Sequence, residues 1–178
     1  MGLNLQICDN FLPQDTFDQI YQNIETFSFS AFDIVQKKDY GAAADHVFYS
    51  AKIDPKDPLV SIIDSCLRKN FKCGIKRITP TCAWTMVSTR EPTPHSDNEL
   101  FKGEKHLIIY IKAKRDINCG TGFYIKEKDN LILNTHIGFL ENRAVLFDAK
   151  DCWHSPLLWN SDSLRRYSAI VWFEPEDL

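Results

Sequence analysis

A histidine and a carboxylate two residues apart, in Thr93-Pro94-His95-Ser96-Asp97, point to one place only where the backbone is extended, because side chains alternate faces along a strand. A second histidine far along the chain, His154 in Cys152-Trp153-His154-Ser155-Pro156, completes a set of two imidazoles and one carboxylate. Such a set binds a redox-active divalent metal on one triangular face and leaves the opposite positions open. The chain must therefore supply strands that bring residues 95–97 and 154 together, and the rest of the sequence is read for whether it can.

Residues 3–8 alternate apolar and polar, as a half-buried strand does. Phe17, Ile20, Tyr21, Ile24 and Phe27 then fall on one helical stripe, with Asp15 and Asp18 near its start. Residues 27–35 return to alternation and are expected to form a strand. From Gln36 to Pro58 the pattern breaks up around Gly41 and two Asp-Pro pairs, a long connection of the kind that serves as a lid. Leu59, Ile62, Ile63, Cys66 and Leu67 mark a second helix, with Arg68 and Lys69 in its last turn.

Everything after is strand-like: 71–78, 81–88, about 93–97, 106–112, 121–126, 130–135, 143–148, about 152–156 and 166–173. The breaks between them are turn-rich. No helical pattern separates these strands, so the expected fold is mainly β with N-terminal helices, a double-sheet jelly roll rather than βαβ units.

The composition excludes several partners. A formal net charge of −3 over 178 residues disfavours a nucleic-acid ligand, which needs a basic face to neutralise phosphates. The longest apolar runs, Leu107 to Ile111 and Ala169 to Phe173, fall far short of the roughly 20 residues that span a bilayer. The N-terminus has neither the basic region nor the apolar core of a signal peptide, and Gln6 stands where a myristoylation motif has Ser or Thr. The 6 cysteines include no Cys-x-x-Cys pair and read as reduced thiols of a cytoplasmic protein.

Beyond His154, Arg166-Tyr167-Ser168 opens the last strand with Arg166 and Ser168 on one face. The ordered set His95-x-Asp97, His154 and Arg166-x-Ser168 resembles the iron(II)- and 2-oxoglutarate-dependent oxygenases, in particular their prolyl-hydroxylase-like branch. The resemblance covers about residues 77–173. It implies one oxygenase domain over 1–178, with 1–75 as helical and strand support and 76–174 as a double-stranded β-helix, a cupin-like barrel. It implies His95, Asp97 and His154 as iron ligands, Arg166 as partner of the distal carboxylate of 2-oxoglutarate, Ser168 as a further hydrogen bond to it, and Tyr110 as a strand tyrosine touching the same co-substrate. Gly120-Thr-Gly-Phe-Tyr124 resembles the family's glycine-bearing strand, where a doubled glycine is more usual.

The chemistry fits the residue types. Two neutral imidazoles and one carboxylate leave a divalent iron net positive with open positions for a chelating 2-oxo acid and O2, and a guanidinium fork suits a carboxylate better than a lysine does. The implied reaction hydroxylates a peptide, prolyl or small amino-acid-like substrate with release of succinate and CO2, with ascorbate as a possible reductant. Other readings stand beside it. The domain can be a jelly-roll binding module without catalysis, or a zinc hydrolase on the same triad. Asp97 can cap a turn at Asn98, Arg166 can pair with Asp162 or Glu174, and Arg165 competes with Arg166 from the opposite face. His106 and His136 are read as structural, Trp84, Met86 and Ser88 as core or substrate lining, and Trp153 and Trp159 as shields of the metal.

Overall fold

The computed structural model describes residues 3–31, 48–79, 82–87, 94–97, 104–113, 119–150, 152–158 and 165–176. Strand β1 (Leu5–Cys8) is followed by helix α1 (Gln14–Asn23), a 3-10 turn over Ile24–Thr26 and the short β2 (Ser30–Ala31). Of the strand expected over 27–35, the described residues show β2 from Ser30, because the apolar stripe that ends at Phe27 winds one turn beyond α1 before the chain extends, and residues 32–35 lie outside the described ones. Strand β3 (Phe48–Lys52) lies inside the segment expected to be irregular, whose residues 36–47 fall outside the described ones.

Helix α2 (Pro58–Phe71) has both of its ends written in sequence. The Asp57 carboxylate accepts from the Leu59 N–H at 2.9 Å, Pro58 sits at the first helical position where no N–H is needed, and Arg68 and Lys69 face the C-terminal end of the dipole. Lys72 closes the helix in a left-handed conformation, φ 53°. The expected strand over 71–78 therefore begins only at Gly74.

The remaining strands are β4 (Gly74–Ile78), β5 (Ala83–Val87), β6 (Lys105–Lys112), β7 (Cys119–Glu127), β8 (Asn130–Gly138), β9 (Ala144–Asp148), β10 (Trp153–Leu158) and β11 (Arg166–Glu176). They form two antiparallel sheets. The larger runs β1-β9-β6-β11-β5-β3-β2, with β4 also paired to β11, and the smaller runs β10-β7-β8. This is the mainly β, jelly-roll architecture the strand spacing predicts.

The apolar run of β6 has no alternation because both its faces are covered. Leu107, Ile109 and Ile111 join Phe17, Ile63, Leu67 and Phe71 under the two helices, while Ile108 and Tyr110 join Phe123, Val145 and Phe147 between the sheets. The parity of β11 follows from its register with β6. Tyr167, Ala169, Val171 and Phe173 sit in the helix-side core. Ser168, Ile170 and Trp172 stand opposite Tyr110, Ile108 and His106. The inner face of the jelly roll thus carries one continuous row of side chains from Arg166 to Trp172 on one strand and from Tyr110 to His106 on the next.

The N-terminal segment is tied to the barrel by Asn142, which is 3% exposed and has a positive φ of 59°. Its Oδ1 accepts from the Leu12 N–H at 2.8 Å and its Nδ2 donates to the Leu12 carbonyl at 2.9 Å. A side-chain amide thereby pairs both polar groups of a buried backbone unit, which would otherwise carry the cost of lost hydration. No helix among the described residues is long and apolar enough to cross a membrane.

Candidate metal centre

His95 and His154 are brought together by backbone pairing. Each donates its N–H to the other's carbonyl at 2.9 Å, an isolated antiparallel bridge that lays residues 94–97 beside β10. Residues directly opposite in an antiparallel pair share a face, and the two imidazole rings lie 4.6 Å apart. Asp97, two residues on, returns to the same side and is 2% exposed. Among the described residues 94–97, this bridge provides the extended geometry that His-x-Asp requires.

The ligand-capable atoms of His95, Asp97 and His154 all lie within 4.8 Å of one another. His95 Nε2 is 3.7 Å from Asp97 Oδ1, and His154 Nε2 is 3.6 Å from Asp97 Oδ2. His154 Nδ1 faces the Cys152 carbonyl at 3.2 Å. That contact suits an Nδ1–H tautomer and leaves the Nε2 lone pair toward the cluster, the usual arrangement of a metal-binding imidazole. Two neutral nitrogens and one carboxylate oxygen at this spacing fit a divalent cation held on one face.

Electrostatics keep His154 and Asp97 in their ligating protonation states. Burial pushes His154 down to about 3, with His95 and His106 adding to the effect and Asp97 opposing it. For Asp97 burial alone would raise the pKa, but His154, His106 and His95 together outweigh it and hold the carboxyl well below the usual range. Cys152 is pushed up to about 12, chiefly by burial and then by Asp97, so its thiol stays protonated beside the site.

The signs for stability agree. A buried histidine whose folded pKa is depressed from 6.5 to about 3 contributes stability that is complete above 6.5 and lost as the pH falls toward 3, because the unfolded chain takes up the proton first. Asp97 adds a further loss below the ordinary carboxylate range. Thermal unfolding of the metal-free protein between pH 7 and 4 should show a falling Tm, with a shallower fall in His154→Phe. Equal slopes for the two proteins would remove His154 from this account.

At the other end of the inner row lies Arg166, 3% exposed. Its Nη1–H donates to the Gly120 carbonyl, its Nη2–H to Thr121 Oγ1 at 3.3 Å and its Nε–H to Ser168 Oγ at 3.3 Å, and its guanidinium sits over the Tyr110 ring at 5.0 Å. All of these partners are neutral, and among the described residues Arg166 has no carboxylate partner. Glu174, one candidate counter-ion, is bound to Arg77 instead, and Asp162 is outside the described residues. Arg165 is exposed, as its opposite parity requires.

Tyr110 does not offer its hydroxyl freely. It donates to Thr121 Oγ1 at 2.7 Å and lies 3.3 Å from the Ile137 carbonyl, and burial raises its pKa against the pull of Arg166. Gly120 is needed for close approach, since a Cβ there would stand 2.1 Å from the Ile137 carbonyl oxygen. Gly120→Ala should therefore cost about 1–3 kcal/mol of stability by overpacking and disturb the carbonyl that Arg166 holds. Chemical denaturation reads the first effect, and an unchanged midpoint would contradict it.

Other expected residues fall elsewhere. His136 is exposed on β8, and Trp84 packs in the helix-side core with Phe27 against it. Met86 is half-buried on β5, Trp153 is half-buried on β10, and Ser88 and Trp159 are outside the described residues. His106, read as structural, lies against the cluster. It is 1% exposed, and its Nδ1 lies 2.9 Å from Asp97 Oδ2, which also accepts from the Trp172 indole N–H at 3.1 Å. Thr121, Trp172 and His106 are the site neighbours that motif spacing did not select. For His106 the signal was present, because it shares strand parity with Tyr110.

No family model matches the sequence and no curated protein matches it. Solved structures do. A prolyl-4-hydroxylase from Pseudomonas putida is similar at a TM-score of 0.64 and 13% identity, over 97% of this chain and 92% of that one. A prolyl hydroxylase from Trichoplax adhaerens, solved with a hypoxia inducible factor peptide fragment, is similar at 0.64 and 16% identity, over 97% and 84%. The non-heme alpha ketoglutarate dependent epimerase SnoN of nogalamycin biosynthesis is similar at 0.65 and 10% identity, over 97% and 78%. At such identities the likeness is one of fold, and it extends over nearly the whole chain: this protein has the jelly-roll fold of the iron(II)- and 2-oxoglutarate-dependent oxygenases, the prolyl hydroxylases among them.

Proposed function

We propose that the protein is an iron(II)- and 2-oxoglutarate-dependent dioxygenase that hydroxylates a peptide, prolyl or small amino-acid-like substrate. The observation that carries this reading is the pairing of two features on one inner face. One end holds a His-Asp-His cluster with its ligand-capable atoms within 4.8 Å of one another, and the other holds a buried guanidinium with only neutral partners among the described residues. An unpaired buried charge is costly. A dicarboxylic 2-oxo acid relieves it at one end and chelates a cation at the other.

In this reading His95, Asp97 and His154 hold iron(II), and Arg166 receives the distal carboxylate of 2-oxoglutarate, with Ser168 and Thr121 fixing the plane of its fork. Tyr110 lies under the guanidinium and, through its hydrogen bond to Thr121, holds that hydroxyl in place. Bound iron would supply O2 activation coupled to oxidative decarboxylation of the co-substrate to succinate and CO2. Phe147 and Phe123 pack apolar surface against His154, and Trp172 donates to Asp97, so the buried side of the cluster is dry while His95 stands at its exposed side. The neighbouring structures, one solved with a peptide fragment and another an epimerase of nogalamycin biosynthesis, support a substrate of peptide or small-molecule size.

The test is succinate formation from 2-oxoglutarate by the iron-loaded protein, screened for stimulation by prolyl peptides and free amino acids. Stimulated turnover is expected. Tight metal and 2-oxoglutarate binding with no succinate under any substrate would turn the reading to a binding module.

A further inference from the structure

His106 is the buried polar side chain whose packing alone does not explain it. Its ring lies 4.6 Å from Phe147, 4.9 Å from Trp172 and 5.1 Å from His154, surroundings that an aliphatic side chain would fill equally well. Neither ring nitrogen has an aligned hydrogen-bond partner, although Asp97 Oδ2 stands 2.9 Å from Nδ1, off the line of the ring N–H. A buried group that forgoes hydration without a well-made bond is held for something else. The direction of the close contact says what: it faces the carboxylate of the His-x-Asp pair.

The contact is not solitary. His106 and Trp172 are direct partners across the β6–β11 ladder, so both rings leave neighbouring strands toward the same point. Trp172 Nε1–H donates to Oδ2 as well, at 3.1 Å. Oδ2 thus meets one aligned N–H, that of Trp172, with the His106 ring nitrogen close by and His154 Nε2 at 3.6 Å, while Oδ1, 3.7 Å from His95 Nε2, accepts from no N–H or O–H donor among the described residues. An oxygen already bound by the Trp172 N–H and crowded by a second ring nitrogen is the poorer ligand of the two, and its twin is left as the better one.

We propose that His106 is a positioning residue: with Trp172 it occupies Asp97 Oδ2 and restricts the carboxylate to one-oxygen ligation of the metal. This rests on the oxygenase reading and adds to it. A carboxylate that chelated through both oxygens would take a position that a bidentate 2-oxo acid and O2 need. The pair on β6 and β11 thus guards the open face of the centre from behind.

The experiment uses Co(II) as a spectroscopic probe, so that no turnover is required. Co(II) is titrated into metal-free wild type, His106→Leu and His106→Asn, followed by 2-oxoglutarate titration of each cobalt-saturated protein. His106→Leu keeps the volume and removes the donor, whereas His106→Asn returns an N–H close to the place of Nδ1. The expected result is a 10–100-fold weaker cobalt affinity in His106→Leu, the size of effect that loss of an outer hydrogen-bond partner has on a metal ligand, altered d–d bands, and weaker 2-oxoglutarate binding at cobalt saturation. His106→Asn should recover most of each. The Tm of metal-free His106→Leu should hold or rise.

Wild-type affinity and spectrum in His106→Leu would overturn the proposal while leaving the metal centre standing. A metal-free Tm that falls in step with cobalt affinity in both variants would also overturn it, in favour of a packing role. Failure of wild type itself to bind cobalt would overturn the oxygenase reading and this proposal together.

Discussion

Arg166→Met should weaken 2-oxoglutarate binding by about 2–5 kcal/mol, the usual cost of removing one member of a buried charge pair, which is a factor of about 30 to about 5,000. The same substitution should leave the Tm of the ligand-free protein unchanged or higher. The two signs differ because the guanidinium has different partners in the two states. Without ligand it is buried against a carbonyl, two hydroxyls and a tyrosine face, none of them charged, and exchanging such a charge for apolar volume is commonly neutral or stabilising. Arg166→Lys should restore little, since an ammonium has no planar fork to match Ser168 and Thr121 on one side and a carboxylate on the other. Calorimetric titration of metal-loaded protein without oxygen measures the first effect and differential scanning the second. Unchanged affinity in Arg166→Met would exclude this residue from the co-substrate site.

The other large effect is expected in the cluster itself. His95→Ala and Asp97→Ala should each abolish the metal-to-ligand charge-transfer band that iron(II) and 2-oxoglutarate give in the absence of oxygen, with metal affinity lowered by more than the 10–100-fold typical of an outer partner. Asp97→Ala has an additional consequence. It leaves His106 Nδ1 and Trp172 Nε1 without the oxygen they face, so its metal-free Tm should fall further than that of His95→Ala, whose side chain is 19% exposed. A band that survives in either variant would dismiss the assignment of these residues as ligands.

Much of the fold was legible because the signals were local. Asp57-Pro58 at one end and Arg68-Lys69 at the other bound α2 to within a residue or two, and the unbroken run Leu107 to Ile111 identified a strand covered on both sides. Where the sequence misled, a local pattern was overruled by its neighbours. The strand expected from residue 27 starts only at Ser30, because a 3-10 turn over Ile24–Thr26 carries Ile24 and Phe27 into the helix-side core first. The helical end of α2 took Phe71 from the next strand because that ring stacks on Phe11.

For the site, strand parity was the informative quantity. It separated Arg166, buried on the inner row, from Arg165, exposed on the outside, and it grouped Ser168 with Arg166, whereas the place of Ser168 opposite Tyr110 came from strand register. Applied to β6 it would also have placed His106 on the face of Tyr110. Parity does not tell how far along a strand a residue meets a ligand, and His106 reads as structural because no arginine of matching parity follows it at the distance that separates Arg166 from His154.

The sequence by itself determined which side chains share a face, because that depends only on the alternation of an extended chain. The tertiary structure decided which faces meet. The two-bond bridge between His95 and His154, the pairing of His106 with Trp172 across β6 and β11, and the absence of a carboxylate beside Arg166 among the described residues are long-range facts. Each joins residues whose separation in sequence carries no preference for contact until strand register and the packing of the two sheets have set it.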